Sequence, residues 1–140
     1  MRSIARVPLL AGLLVACGGE GAPAAPQAAD VAGSYRLVSY DGQPLPVSVT
    51  VAEGERRQVL FGSLVLDPDG TCSRSETVLR SRDGATSTEA SVQPCTYEVT
   101  GTGRLDLRLG DESMQIAGFA RGVVWYGDFF VMRQYRRVQP

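Results

Sequence analysis

Residues 71–100 read TCSRSETVLRSRDGATSTEASVQPCTYEVT, and the middle of this stretch decides the fold. Asp83-Gly84 is the dipeptide that a two-residue type I′ hairpin turn favours, because both central residues of that turn take positive φ. Such a turn pairs Arg82 with Ala85. Stepping outward along both arms then places Cys72 directly opposite Cys95. Facing residues of an antiparallel pair share a face, so the two thiols meet. The position is a hydrogen-bonded one, with Cα atoms about 5.5 Å apart, inside the range of about 4.4–6.8 Å that a disulfide spans. The alternatives are a bulge that shifts the register by one, or two buried free thiols. No Cys-x-x-Cys spacing points to a redox pair. The outer half of the hairpin, residues 74–89, has only Val78, Leu79 and Ala85 as apolar residues. It is expected to project as a solvated ribbon, either a mobile loop or an arm that touches a partner.

On both sides of this hairpin the chain shows short alternating runs divided by turn signals, with no sustained helical period. Upstream lie 34–40 (SYRLVSY), 47–51 (VSVTV) and 58–66 (QVLFGSLVL), the last with Leu60, Gly62, Leu64 and Leu66 on one face. The turn Asp67-Pro68-Asp69-Gly70 follows. Downstream lie 104–109 (RLDLRL), where Leu105, Leu107 and Leu109 alternate with charged residues, then 114–120, 123–126 and 129–136. That makes eight or nine strands joined by tight sequential turns, an all-β meander. Closure removes the two edges that an open meander exposes, and eight strands enclose just enough room for side chains or one small ligand. The expectation is a small antiparallel up-and-down barrel. A two-sheet sandwich is the rival, and only the barrel pairs 34–40 with 129–136.

The first residues, MRSIARVPLLAGLLVAC, combine Arg2 and Arg6 with an apolar run from Val7 to Ala16. The run is shorter than the roughly twenty residues that span a bilayer, and it reads as an export signal. Its end, Leu14-Val15-Ala16-Cys17, resembles the lipobox of bacterial lipoproteins. The resemblance implies cleavage before Cys17, a diacylglycerol on its thiol and acylation of the new amino terminus, and two or more acyl chains anchor stably. Gly18 follows Cys17, and the lack of Asp there implies the outer membrane. The domain reading is therefore a leader over 1–16, the lipidated Cys17 and a Gly/Ala/Pro-rich flexible linker over 17–31, and the barrel over 32–138. An ordinary signal peptide is the alternative.

Gly33-Ser34-Tyr35-Arg36-Leu37 and the later Gly42-Gln43-Pro44-Leu45-Pro46 resemble the opening of lipocalin-like bacterial lipoproteins, and 126–136 is similar to their closing aromatic strand. The resemblance implies a barrel in which Tyr35, standing where lipocalins proper carry Trp, packs beneath a basic residue of the last strand, Arg133 or Arg136.

Composition narrows the chemistry further. The 140 residues contain no His, Lys or Asn, and all 14 basic residues are Arg. A His base, a His-ligated zinc, a Lys Schiff base and a Walker lysine are excluded. Loss of the leader leaves a net charge of about −3, which disfavours nucleic acid. The acidic residues Glu53, Glu55, Asp67, Asp69, Asp111 and Glu112 fall at expected turns and lack EF-hand spacing. No Gly-x-Ser-x-Gly elbow is present. The expectation is a non-enzymatic protein with no cofactor and no metal, held to the membrane by covalent lipid and facing the periplasm. Tyr35, Tyr97, Phe119 and Trp125 are the candidate lining of a site for a small apolar ligand, with Phe129 and Phe130 beside them. The alternative is a periplasmic protein-interaction module, an enzyme inhibitor or an assembly accessory factor. A structural barrel with a filled core is a third reading, and a packed interior with a projecting polar ribbon favours the interaction module.

Overall fold

The long hairpin forms in the expected register. The computed structural model describes residues 27–111, 114–127 and 131–139. Its elements are α1 (Ala28–Val31), β1 (Gly33–Tyr40), β2 (Gln43–Pro44), β3 (Val47–Ala52), β4 (Glu55–Leu66), β5 (Thr71–Arg82), β6 (Ala85–Gly101), β7 (Arg104–Leu109), β8 (Gln115–Ala120), β9 (Val123–Gly127) and β10 (Met132–Arg137). The leader, Cys17, Phe129 and Phe130 lie outside the described residues. The last stretch of the expected linker, Ala28–Val31, is a helical turn, and Val31 joins the core.

The β5–β6 ladder runs without a bulge from Arg82↔Ala85 to Thr71↔Thr96. Asp83 and Gly84 take φ of 50° and 82°, as the turn requires. Cys72 faces Cys95, and the two form a disulfide with Cα atoms 4.8 Å apart. β1 then closes the sheet. It pairs with β10 along one edge, Tyr35↔Arg137 to Tyr40↔Arg133, and with β4 along the other, Gly33↔Leu66 to Arg36↔Ser63. The result is a closed antiparallel barrel of eight strands, with β2 and β3 outside the circuit. The pairing of first and last strands separates it from a sandwich.

The core follows from the alternation. Leu105, Leu107 and Leu109 point inward and are fully buried, while Arg104 and Arg108 between and beside them are exposed. On β4 the expected face changes partway. A bulge between Val59 and Phe61 resets the period, so Val59, Gly62, Leu64 and Leu66 are buried and Leu60 is not. An extra residue in one strand moves every later side chain to the other face.

The projecting region is broader than the ribbon expected from sequence. β4 runs beside β5 over its whole length, from Leu66↔Cys72 to Glu55↔Arg82, and β3 adds to β4 from Val47↔Val59 to Ala52↔Glu55. The projection is therefore a four-stranded sheet in which Val47 and Val78 are buried. Only the far arm, β6 from Ala85 to Val92, is exposed throughout. Cys95 is the β6 residue at which pairing with β7 begins, opposite Leu109. The bridge thus ties β5 to β6 where β6 leaves the wall. Replacing Cys72 by Ala should lower unfolding free energy by about 2–4 kcal/mol. Chemical denaturation of the oxidised protein measures this, and an unmoved midpoint would count against the bridge.

Candidate functional site: a polar mouth and an open strand edge

Three of the four aromatic residues expected to line a ligand site lie towards one end of the barrel. Tyr35 is buried and its hydroxyl donates to the Val31 carbonyl at 2.5 Å. The Tyr97 hydroxyl bonds to the Asp67 carbonyl at 2.6 Å and the Ala28 carbonyl at 3.1 Å. Both tyrosines hold α1 across the end of the barrel, and Tyr97 also holds the turn after β4. Burial raises the Tyr97 pKa above the ordinary phenol value, and Tyr35, Asp67 and Asp69 add to the rise. Phe119 is half-buried against the core. Trp125 is a correction, since it points out of the barrel and is 37% exposed. Its ring packs against Gly118, where a Cβ would overlap the indole, so glycine permits the contact. β9 alternates Val124 and Tyr126 inward with Trp125 between them, and that parity sets its direction.

The basic partner of Tyr35 is also a correction. Arg137 lies over its ring at 5.4 Å, whereas Arg133 lies over Tyr40 at 5.1 Å. Arg136 faces outward opposite Arg36. The ladder places residue 137 opposite Tyr35, so cation–π geometry selects it.

The opposite mouth is polar, which the sequence pattern did not show. Tyr126 and Tyr135 stack with centroids 5.6 Å apart and hydroxyls 3.2 Å apart. Arg74 approaches them from β5. Burial lowers its pKa, but Tyr126, Tyr135 and Glu76 outweigh that and the net shift is upward. Glu76, itself buried, accepts from Arg57 at 2.7 Å. Arg80 joins Glu89 at 2.9 Å and Glu55 at 3.5 Å. Buried Nε atoms of Arg57 and Arg133 and the buried Oε1 of Gln115 lack a hydrogen-bond partner among the described residues. Strand alternation carries these groups onto the face that continues the barrel interior. Their signal in the sequence was weak, because Arg74, Glu76 and Arg80 at even-numbered positions read equally as a solvated face. Of the acidic turn residues, Glu112 lies outside the described residues and Asp69 holds its own turn. Asp69 accepts from the amide and hydroxyl of Thr71, and those bonds hold its pKa below the usual carboxylate range.

The remaining feature is an edge. In a ladder that starts from a two-residue turn, Ala85, Ser87, Glu89 and Ser91 exchange both backbone bonds with β5, and the residues between them point both groups away. Bonds farther along fit this parity. Tyr97 N–H reaches Gly70 on the β5 side, and the Pro94 carbonyl accepts from Gly110 on the other. Thr86, Thr88, Ala90 and Val92 thus present amides and carbonyls along an edge with no neighbouring strand among the described residues. Val92 is 74% exposed. Such edges are commonly blunted by Lys, Pro or bulges, and residues 85–92 contain none of these. Their one charge, Glu89, is turned to Arg80 on the other face.

Burial, with the Tyr126 hydroxyl close by, pushes the Tyr135 pKa far above the ordinary phenol value, and Arg74 and Arg133 only partly oppose it. The folded barrel therefore keeps a proton that an unfolded chain gives up near about pH 10. The Tyr135 contribution to stability is complete below that pH and is lost as pH rises towards the folded pKa. Thermal unfolding followed between about pH 9 and 11 should show a falling Tm. Tyr135→Phe should flatten some of the fall, Tyr97 supplying the rest, and an unchanged slope would contradict this account. No family model, curated protein or solved structure matches the chain, so a functional reading rests on this geometry.

Proposed function

We propose that this chain is a non-enzymatic, lipid-anchored envelope protein that captures an extended segment of another envelope protein by strand addition to β6. The observation that carries the reading is the unblunted edge from Thr86 to Val92, whose free amides and carbonyls match the main-chain needs of an added strand. Thr86, Thr88 and Val92 are strand-forming residues and leave a nearly neutral outer face. A second copy is a poorer occupant. The antiparallel register that overlaps Thr86–Val92 fully with itself sets Glu89 directly against its own copy, a like-charge pair. A partner with a hydroxyl or basic residue at that position fits better.

The anchor in this proposal rests on the lipobox resemblance at Cys17 and on the course of the chain, which joins the barrel through α1 at the end away from the projecting tip. Carriage of a small apolar molecule fits the geometry less well. Buried leucines and tyrosines fill the barrel interior, Tyr35 and Tyr97 hold α1, and the mouth above them is charged. The barrel serves instead as a rigid base.

Photo-crosslinking in intact bacterial cells tests the edge. A photoreactive residue at Thr88 should give an adduct of defined mass. The same probe at Thr96, exposed on the same strand but opposed by Arg108 of β7, should not. Ala90→Pro removes an N–H from the free side of β6 alone and should abolish the adduct while the barrel stays folded. Equal labelling from both positions, or an adduct indifferent to Ala90→Pro, would sink the reading. Cys17→Ser should move the protein from the membrane to the soluble fraction, and unchanged fractionation would remove the anchor.

A further inference from the structure

The turn between β8 and β9 is Arg121-Gly122, with φ of 48° and 74°. Two similar turns, Asp41-Gly42 and Asp83-Gly84, put Asp at the first position, with φ of 51° and 50°. A short polar side chain suits that left-handed conformation and a long one does not. The backbone therefore gives no reason for arginine at 121. Beside it, Arg36 of β1 and Arg136 of β10 are direct cross-strand partners, a like-charge pairing that weakens a sheet. Arg137 is held in place, donating to the carbonyls of Asp30 at 3.2 Å and Ala32 at 2.8 Å, and its buried Nε lacks an acceptor among the described residues. These four arginines line one outer cleft of about 730 Å³ together with Val38 and Val138. The ion pairs among described residues engage Arg57, Arg80, Arg82 and Arg104 instead. A positive-φ arginine at the turn, a like-charge cross-strand pair and four arginines around one cleft thus point to an anionic occupant.

We infer that this cleft docks onto phosphodiester headgroups of anionic phospholipid in the membrane that anchors the chain. The course of the chain argues for this occupant. Arg137 grips the carbonyls at the start of the domain, so the segment that leads back to Cys17 leaves the barrel beside the cleft. A stretch from Cys17 to Gln27 can reach at most about 36 Å. Guanidinium groups bind phosphate oxygens through paired hydrogen bonds, and basic groups beside an anionic surface reinforce a lipid anchor. The inference rests on the anchor reading of Cys17, and the test keeps the two apart.

Full-length chain carrying Cys17→Ser, which cannot be lipidated there, is titrated with vesicles of phosphatidylglycerol mixed into phosphatidylcholine and with phosphatidylcholine alone. Binding should favour the anionic vesicles, weaken as salt rises, and fall about fivefold for each of Arg36→Gln, Arg121→Gln and Arg136→Gln. Arg2 and Arg6 are common to every chain compared, so the difference reports the cleft. Arg137 is left intact because it holds α1. Arg121→Asp gives the turn the residue it favours, so the fold persists while the charge reverses, and it should lose more affinity than Arg121→Gln. Equal binding by the parent and the triple Gln variant overturns the inference. So does complete competition by inorganic phosphate, which would assign the cleft to a soluble anion. Loss of vesicle preference alongside Cys17-dependent membrane fractionation of the unmutated chain would reject the cleft and leave the anchor standing.

Discussion

Strand β1 is hydrogen-bonded along both edges, to β10 on one side and to β4 on the other, and the remaining architecture depends on that double pairing. It converts a meander with two exposed ends into a ring. It brings residues 33–40 into register with residues far away in sequence, and loop closure over such separations is entropically costly before packing compensates it. The compensation is visible at the same place. Tyr35 and Leu37 on β1 and Leu64 on β4 are buried together, with Arg137 stacked over the Tyr35 ring. Closure also fixes where edges remain among the described residues, on β2, on β3 and on the outer stretch of β6.

The barrel divides its interior between two kinds of chemistry. Aliphatic residues and the tyrosines that hold α1 fill one end. Arg74, Glu76, Arg57 and the stacked Tyr126–Tyr135 pair occupy the other. Arg57, Arg74, Glu76, Tyr126 and Tyr135 sit at strand positions that point inward, so their polarity must be met by neighbours. The 2.7 Å Arg57–Glu76 contact and the paired hydroxyls meet much of it.

Much of this fold was legible from local chemistry. Asp83-Gly84 dictates a turn type, the turn type dictates a register, and the register delivers the Cys72–Cys95 bridge. The alternation in RLDLRL likewise determines which leucines are buried. What escaped depends on partners distant in sequence. The bulge near Leu60 arises within the pairing of β4 with β5, and nothing in QVLFGSLVL marks it. Residues 74–89 read as a bare ribbon because their cover comes from β4 and β3. Trp125 reads as a pocket residue, yet its direction is set by the parity of a five-residue strand and by the space over Gly118. The arginine over Tyr35 is Arg137, not the expected Arg133 or Arg136, because the β1–β10 offset is a property of closure.

The disulfide has a mechanical consequence. β5 and β6 outrun the barrel, and their hydrogen-bonded rungs would open in succession if the tip were pulled aside. Cys72 and Cys95 sit at the root of that lever, at the rung where β7 takes over the support of β6. Tension applied to the outer arm therefore stops at a covalent rivet before it can peel β6 off the barrel wall, and the hairpin can flex or fray above that point while the ring below keeps its shape.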